Sequence, residues 1–292
     1  MRGARPGAAL DVEVARVLDL PRGSGVVVAC SGGPDSIALA ALLARWAPAR
    51  EIAITLAHVN HGLRESAWQD ECVVLSVGAR LGCPVRVAVL TGTAADEASL
   101  REGRYAALAA IARAVGAIAV ATAHTAEDQT ETVLLALFRG TGLEGLAGIP
   151  VQRPLEPGIT LVRPLLRIPR AELIAEVRRS ALPVARDPSN ADQRYRRNAV
   201  RTALGDLRGS FPGLDRAVAR CAEIVRDDLD DAPIARRRRA LRSVLAGHRQ
   251  DIPFERIEAL LRARPSARVF LKTGFDAVAG ELTDDLDRRS GD

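Results

Sequence analysis

Lysine is almost absent from this chain: Lys272 is the only one among 41 basic residues, so arginine carries nearly all the positive charge. Coding bias in a GC-rich genome accounts for that, but arginine's planar fork still suits phosphate. Cysteine is sparse as well. Cys30, Cys72, Cys83 and Cys221 are too widely spaced for a C-x-x-C redox pair or a zinc knuckle. No apolar run approaches the ~20 residues of a membrane helix. The N-terminal Met1-Arg2-Gly3-Ala4-Arg5-Pro6 leads into an amphipathic stretch and not a signal-peptide core. A reduced, cytoplasmic protein is expected. What is present is 48% apolar residues over 292, enough for a conventional core in one large or two modest domains. The net charge of +5 permits a polyanionic partner.

The most informative stretch is Val26-Val27-Val28-Ala29-Cys30-Ser31-Gly32-Gly33-Pro34-Asp35-Ser36. Three β-branched residues in a row suit a buried parallel strand. Gly32 and Gly33 allow a tight turn with exposed N–H groups, Pro34 suits the first turn of a helix, and Asp35 complements its positive end. Strand, glycine turn and helix N-terminus together make an anion cradle. The lysine of a Walker A loop is missing. Ser-Gly-Gly-Pro-Asp-Ser instead resembles the pyrophosphate loop of ATPases that cleave between the α and β phosphates.

Apolar patterning predicts strands over 26–30, 52–59, 85–89 and 117–121. Helices are predicted over 37–46, 66–81, 98–115 and 126–138. This alternation implies an α/β fold, a doubly wound parallel sheet with ligands at the strands' C-terminal ends. A Pro-rich stretch from 150 to 169 contains a short strand at 159–162 and precedes a helix at 170–179. A boundary near Ser210-Phe211-Pro212-Gly213 predicts a catalytic domain at 1–208 and a smaller, mainly helical region at 209–292.

Each strand end carries a motif. After the second come His58-Val59-Asn60-His61-Gly62-Leu63-Arg64. The two histidines lack cysteine or carboxylate company for a metal, whereas backbone at Ala57, His58 and Val59 could read an adenine edge beside the phosphate loop. After the fourth come His124-Thr125-Ala126-Glu127-Asp128-Gln129-Thr130-Glu131. Thr125 and Asp128 form a capping box, which leaves Glu131 unexplained. Asp128 and Glu131 lie three apart on one helix face, a pair suited to Mg²⁺ or a substrate ammonium.

The phosphate loop and these two motifs are joined by Leu134–Gly142, Arg101-Glu102-Gly103-Arg104-Tyr105, Arg163-Pro164-Leu165-Leu166, Asp187-Pro188-Ser189-Asn190 and Tyr195-Arg196-Arg197-Asn198. In this order the set resembles the tRNA(Ile)-lysidine synthetase family, in a short form, over residues 26 to about 201. Glu127 stands where a second aspartate is common in that family, a change that keeps the charge. The resemblance implies ATP-dependent ligation of free L-lysine to C2 of the wobble cytidine of CAU-anticodon tRNA(Ile), with AMP and pyrophosphate released. By position it implies that Ser31, Gly32, Gly33, Pro34, Asp35 and Ser36 hold the ATP phosphates, with Asp35 also near Mg²⁺. Arg104, Asp128 and Glu131 then surround the lysine. Arg104 would pair with its carboxylate, while Asp128 or Glu131 binds its α-ammonium or accepts the attacking amine's proton. A homodimer is also implied.

Arg194, Tyr195, Arg196, Arg197 and Arg201 put an aromatic among arginines, a composition for tRNA phosphate contact and base stacking. Arg236–Arg239 could grip the same backbone, or form a solvated helix face. The alternative activity is another tRNA-modifying adenylating enzyme of the same loop class. Sulfur transfer of that kind generally uses the paired cysteines missing here. A passive ATP-binding module would not require Arg104, Asp128 and Glu131.

Overall fold

The computed structural model describes residues 8–60, 62, 67–90, 97–185, 196–231, 268–272 and 275–278. Their contacts divide the chain into two units. The first holds Met1–Glu131 and Ile149–Ala219, the second Thr132–Gly148 and Arg220–Asp292. Division by contact therefore differs from a cut in chain order at 208/209.

The first unit is built on a six-stranded sheet of β1 (Gly25–Ala29), β2 (Ala53–Asn60), β3 (Val85–Val89), β4 (Ala117–Ala121), β5 (Gln152–Glu156) and β6 (Ile159–Val162), in the order β3-β2-β1-β4-β6-β5. All neighbours run parallel except β5, which pairs antiparallel with β6. The sequence reading found no strand at β5, which is Pro-containing. At a sheet edge Pro154 forfeits no ladder bond that the fold needs. The chain moves outward from β1 through β2 to β3, then returns to β4 on the other side of β1. A crevice opens at such a reversal, above the C-terminal ends of β1 and β4.

The strand period of two assigns the side chains to opposite faces. Val26, Val28, Ile54, Leu56, Ala119 and Ala121 pack into one core. That core is completed by α1 (Ala8–Val17), α2 (Pro34–Trp46), α3 (Ala67–Leu81) and α7 (Arg170–Ser180). Val27, Ala57, Val120 and Leu161 face the other way, onto Tyr105, Leu108 and Ala112 of α4 (Glu97–Ala114). Both faces of the sheet are thus covered, as the continuous Val-Val-Val run requires. After α7 the unit continues through α8 (Arg196–Ser210) into α9 (Leu214–Asp231).

In the second unit Ala147, at the end of the short α6 (Leu143–Leu146), packs against Leu229 and Val225 of α9. Arg226 donates to the Ala147 carbonyl. These contacts explain why Thr132–Gly148, in mid-chain, belongs with later residues. The C-terminal region also contains an antiparallel pair, β7 (Arg268–Lys272) with β8 (Phe275–Val278), which the mainly helical expectation did not include. No described helix is long and apolar enough to cross a membrane.

Helices α1, α2 and α7 are tied by charge as well as apolar contact. Buried Glu176 accepts from Arg45 Nη1 at 2.8 Å and from Arg179, while Arg45 Nη2 reaches Asp11 Oδ1 at 2.6 Å. Glu176→Ala should lower the unfolding free energy by about 1–2 kcal/mol, because the two half-exposed arginines it leaves can rehydrate. Urea denaturation checks this through a lower midpoint at unchanged slope.

Candidate active site

The phosphate loop is held from within. Gly32 has φ +90°, a left-handed conformation open to glycine at no steric cost. A Cβ on Gly32 would lie 3.1 Å from the Ala185 Cβ, and the Ala185 N–H donates to the Gly32 carbonyl at 2.8 Å. Gly33 has φ −71° as the N-cap of α2, so its dihedrals do not demand glycine. The buried Ser36 hydroxyl donates to the Gly33 carbonyl at 2.9 Å and accepts from the Ser31 N–H at 3.2 Å. Ser36 therefore braces the turn, while Ser31 lies exposed above it. His58 is buried with Nδ1 2.9 Å from the Cys30 carbonyl, pinning β2 to the root of the loop. Ala57 and Val59 flank it, with the Ala57 carbonyl accepting from the Cys30 N–H at 2.8 Å. His61 lies outside the described residues.

Beside this loop, α5 (Ala126–Phe138) starts from the end of β4. The capping box is formed: Asp128 Oδ2 accepts from the Thr125 N–H at 2.8 Å, and the Thr125 hydroxyl lies 3.4 Å from the Asp128 N–H. The starts of α5 and α7 are then cross-linked reciprocally. The Ala126 N–H donates to the Ile168 carbonyl at 3.1 Å, and the Arg170 N–H is shared by the two Glu127 carboxylate oxygens at 2.9 and 3.0 Å. Pro169 at the N-cap of α7 has no side-chain hydroxyl or carboxylate to offer, and Glu127 supplies one from the neighbouring helix.

Arg170 is the site residue that the sequence reading missed. Its Nε donates to Asp35 Oδ2 at 2.9 Å, and its Nη2 lies 3.8 Å from Asp128 Oδ1. Asp35, Glu127 and Asp128 thus converge on one arginine. Burial pushes the Asp35 carboxyl above its ordinary range, with Arg170 opposing the shift and Asp128 and Glu127 adding to it. The other Asp35 oxygen, Oδ1, is buried without a hydrogen-bond partner among the described residues.

Glu131 is fully buried, in a two-point contact with Arg201 of α8: Nε to Oε1 at 2.8 Å and Nη2 to Oε2 at 3.1 Å. Arg201, read from sequence as a tRNA contact, is here the counter-charge that a buried carboxylate needs. Arg104 lies over the Tyr105 ring with its guanidinium carbon 5.5 Å from the centroid; Arg101 and Arg153 approach the same ring at 5.6 and 5.1 Å. Burial raises the Tyr105 phenol, but Arg101, Arg163 and Arg104 outweigh it and hold the group below its usual value. Arg194 and Tyr195 lie outside the described residues, as do Arg236–Arg239, and of Arg196 and Arg197 only the helical backbone is described.

A Ser-Gly-Gly turn at a strand-order reversal, opening α2 beside an acidic helix start, defines the nucleotide site of a PP-loop ATPase. A PP-loop domain model matches residues 9–207. The tRNA(Ile)-lysidine synthase of Ralstonia nicotianae is 44% identical over 204 residues, covering 68% of this chain and 44% of that one. The enzyme of that name from Gloeobacter violaceus is 36% identical over 270 residues, covering 83% of each. The chain belongs to the tRNA(Ile)-lysidine synthase family. Among solved structures, the U34-tRNA thiolase NcsA from Methanococcus maripaludis superposes with a TM-score of 0.63 at 17% identity, over 74% of this chain and 78% of that one. At that identity the likeness concerns the fold alone.

Gly32→Ala should destabilise the chain by about 1–2 kcal/mol from the left-handed backbone, and weaken ATP binding because Ala185 must move. Thermal unfolding and nucleotide titration of the same variant check both effects; Gly33→Ala, without a positive φ, should cost less in stability.

Proposed function

We propose that this chain ligates free L-lysine to C2 of the wobble cytidine of CAU-anticodon tRNA(Ile), converting ATP to AMP and pyrophosphate. The observation that carries the reading is one of placement: the phosphate loop after β1 and the Asp128–Glu131 helix start after β4 stand on neighbouring strands. In this reading a nucleotide held by the first presents its α-phosphate toward the second.

The chemistry asks for this combination. The cytidine C2 carbonyl is a poor electrophile and its oxygen a poor leaving group. Attack of that oxygen on the α-phosphorus expels pyrophosphate and leaves an adenylate. The lysine amine then attacks C2 and AMP departs. Free lysine amines have pKa ~10.4, so the nucleophile must lose a proton in the site. Asp128 keeps some solvent contact and is the carboxylate we assign to the incoming lysine. Glu131, with both oxygens on Arg201, is assigned to hold α8 against α5 at the edge of that pocket. Arg104 is assigned to the lysine carboxylate.

Mg²⁺ accompanies the ATP in this reading. Among the described residues no three His, Cys, Asp or Glu side chains gather as a metal site. Mg²⁺ bound through one or two carboxylates plus substrate phosphates needs no such cluster, and the unpartnered Asp35 Oδ1 beside the phosphate loop is a fitting oxygen donor. We assign nucleotide and lysine binding to residues 1–208. Contact with the tRNA falls to 209–292 together with Arg194, Tyr195, Arg196 and Arg197. A cytoplasmic location and a homodimer belong to the same proposal.

Purified protein with ATP, Mg²⁺, lysine and the CAU tRNA(Ile) transcript should release AMP and pyrophosphate and add the mass of lysine less water at the wobble cytidine. Release of ADP, or an unchanged tRNA mass, defeats the assignment. Asp128→Asn should fold normally, since the amide oxygen can still accept from the Thr125 N–H, yet form at most about a hundredth of the lysidine. Full activity in that variant would leave Asp128 with capping alone.

A further inference from the structure

Arg170 is set among the carboxylates of Asp35, Asp128 and Glu127. It occupies the first position of α7, a helix end that does not itself favour a cation. Helices α2 and α5 begin beside it, since Asp35 of α2 and Asp128 of α5 both face its guanidinium. Three helix N-termini and an arginine offset the three carboxylates gathered here and supply N–H donors of the kind that bind phosphate. Nor does the packing of α7 on α2 depend on it. Leu173 and Val177 bury in the same core as α2, and the Arg45–Glu176 pair already ties the two helices.

The way Arg170 is held is uneven. Its backbone is fixed, with the N–H shared by both oxygens of Glu127. Its guanidinium is held by one hydrogen bond, from Nε to Asp35 Oδ2. The 3.8 Å approach of Nη2 to Asp128 is outside hydrogen-bond range. Among the described residues, no hydrogen bond engages Nη1 or Nη2. The head is therefore a cation with spare donors on an anchored stem, at the rim of the phosphate loop and two residues from Gly33 through Asp35.

We propose that Arg170 is the pyrophosphate-binding arginine of this chain: its guanidinium transfers from Asp35 to the β- and γ-phosphate oxygens of ATP and stays with pyrophosphate after cleavage. This rests on the reading that ATP is cut between the α and β phosphates. In that step the cytidine oxygen forms a bond to the α-phosphorus, the bond from that phosphorus to the bridging oxygen breaks, and the electron pair leaves with pyrophosphate. Arg170 faces the charge that builds on the leaving group. Asp35, released from Arg170, is then free to bind the cation that accompanies the nucleotide.

The test is equilibrium binding to the full chain, by calorimetry, of pyrophosphate, ATP and AMP, each with Mg²⁺, in wild type, Arg170→Ala and Arg170→Lys. Arg170→Ala should weaken pyrophosphate and ATP binding about ten- to a hundredfold, the range for a charged hydrogen bond, with AMP affinity unchanged. Arg170→Lys, which keeps the charge but loses the fork, should recover part of the loss and raise the KM for ATP without moving the KM for lysine. If Arg170→Ala binds pyrophosphate as wild type does, or loses pyrophosphate and AMP equally with a lowered melting temperature, the residue only pins helices and the proposal fails. Should Arg170→Ala not fold, Arg170→Lys decides alone: wild-type pyrophosphate affinity overturns the proposal. Lysidine formation reports separately on the tRNA reading. An inactive wild type with Arg170-dependent pyrophosphate binding would sink the acceptor assignment and leave this one standing.

Discussion

The ion pair between Arg170 and Asp35 joins everything that makes this fold a site. Asp35 rides on the first turn after the phosphate loop, and Arg170 opens the helix that packs with α2 on one face of the sheet. Through Glu127 and Asp128 the same arginine reaches the helix that follows β4. Three carboxylates in one half-buried place would repel one another. One guanidinium and three positive helix ends make the gathering tolerable. Burial still wins at Asp35, whose carboxyl sits above its usual range despite the arginine.

Much of this frame was legible in the chain. Strands β3, β4 and β6 and helix α5 fall at the residues that patterning predicts, because each is a short apolar run or helical stripe bounded by Gly, Pro or a capping residue. The phosphate loop was legible because glycine at position 32 has a geometric cause, its positive φ. Strand β5 was not, because edge strands escape the hydrophobic rule and its proline argued against it. The mid-chain segment Thr132–Gly148 was unreadable as part of the second unit, since its partners lie about 80 residues later in α9, as in the Arg226–Ala147 bond.

The site was half legible, for a related reason. Asp128 announced itself through its spacing from Thr125, and Glu131 through its spacing from Asp128. Both are local signals. Arg170 lies 135 residues from Asp35 and has no local pattern of its own; in sequence it is one more arginine in a chain full of them. Nor does any spacing pair Glu131 with Arg201, 70 residues on. Charge partners across a sheet edge are set by topology. A chain that takes nearly all its positive charge from arginine hides its functional arginines among the others.

That abundance has a consequence for how the two acids of α5 divide their work. Glu131 has no solvent contact and two hydrogen bonds to Arg201, so moving it toward a substrate would part a buried carboxylate from its counter-charge. Asp128 is held at Oδ2 by a neutral cap and at Oδ1 by an arginine 3.8 Å away. In the proposed reaction a polyphosphate would compete with Asp128 for the same guanidinium. A lysine ammonium would meet Asp128 once the nucleotide has drawn the Arg170 guanidinium toward itself. Under that proposal a shared counter-ion would place nucleotide binding before amino-acid binding.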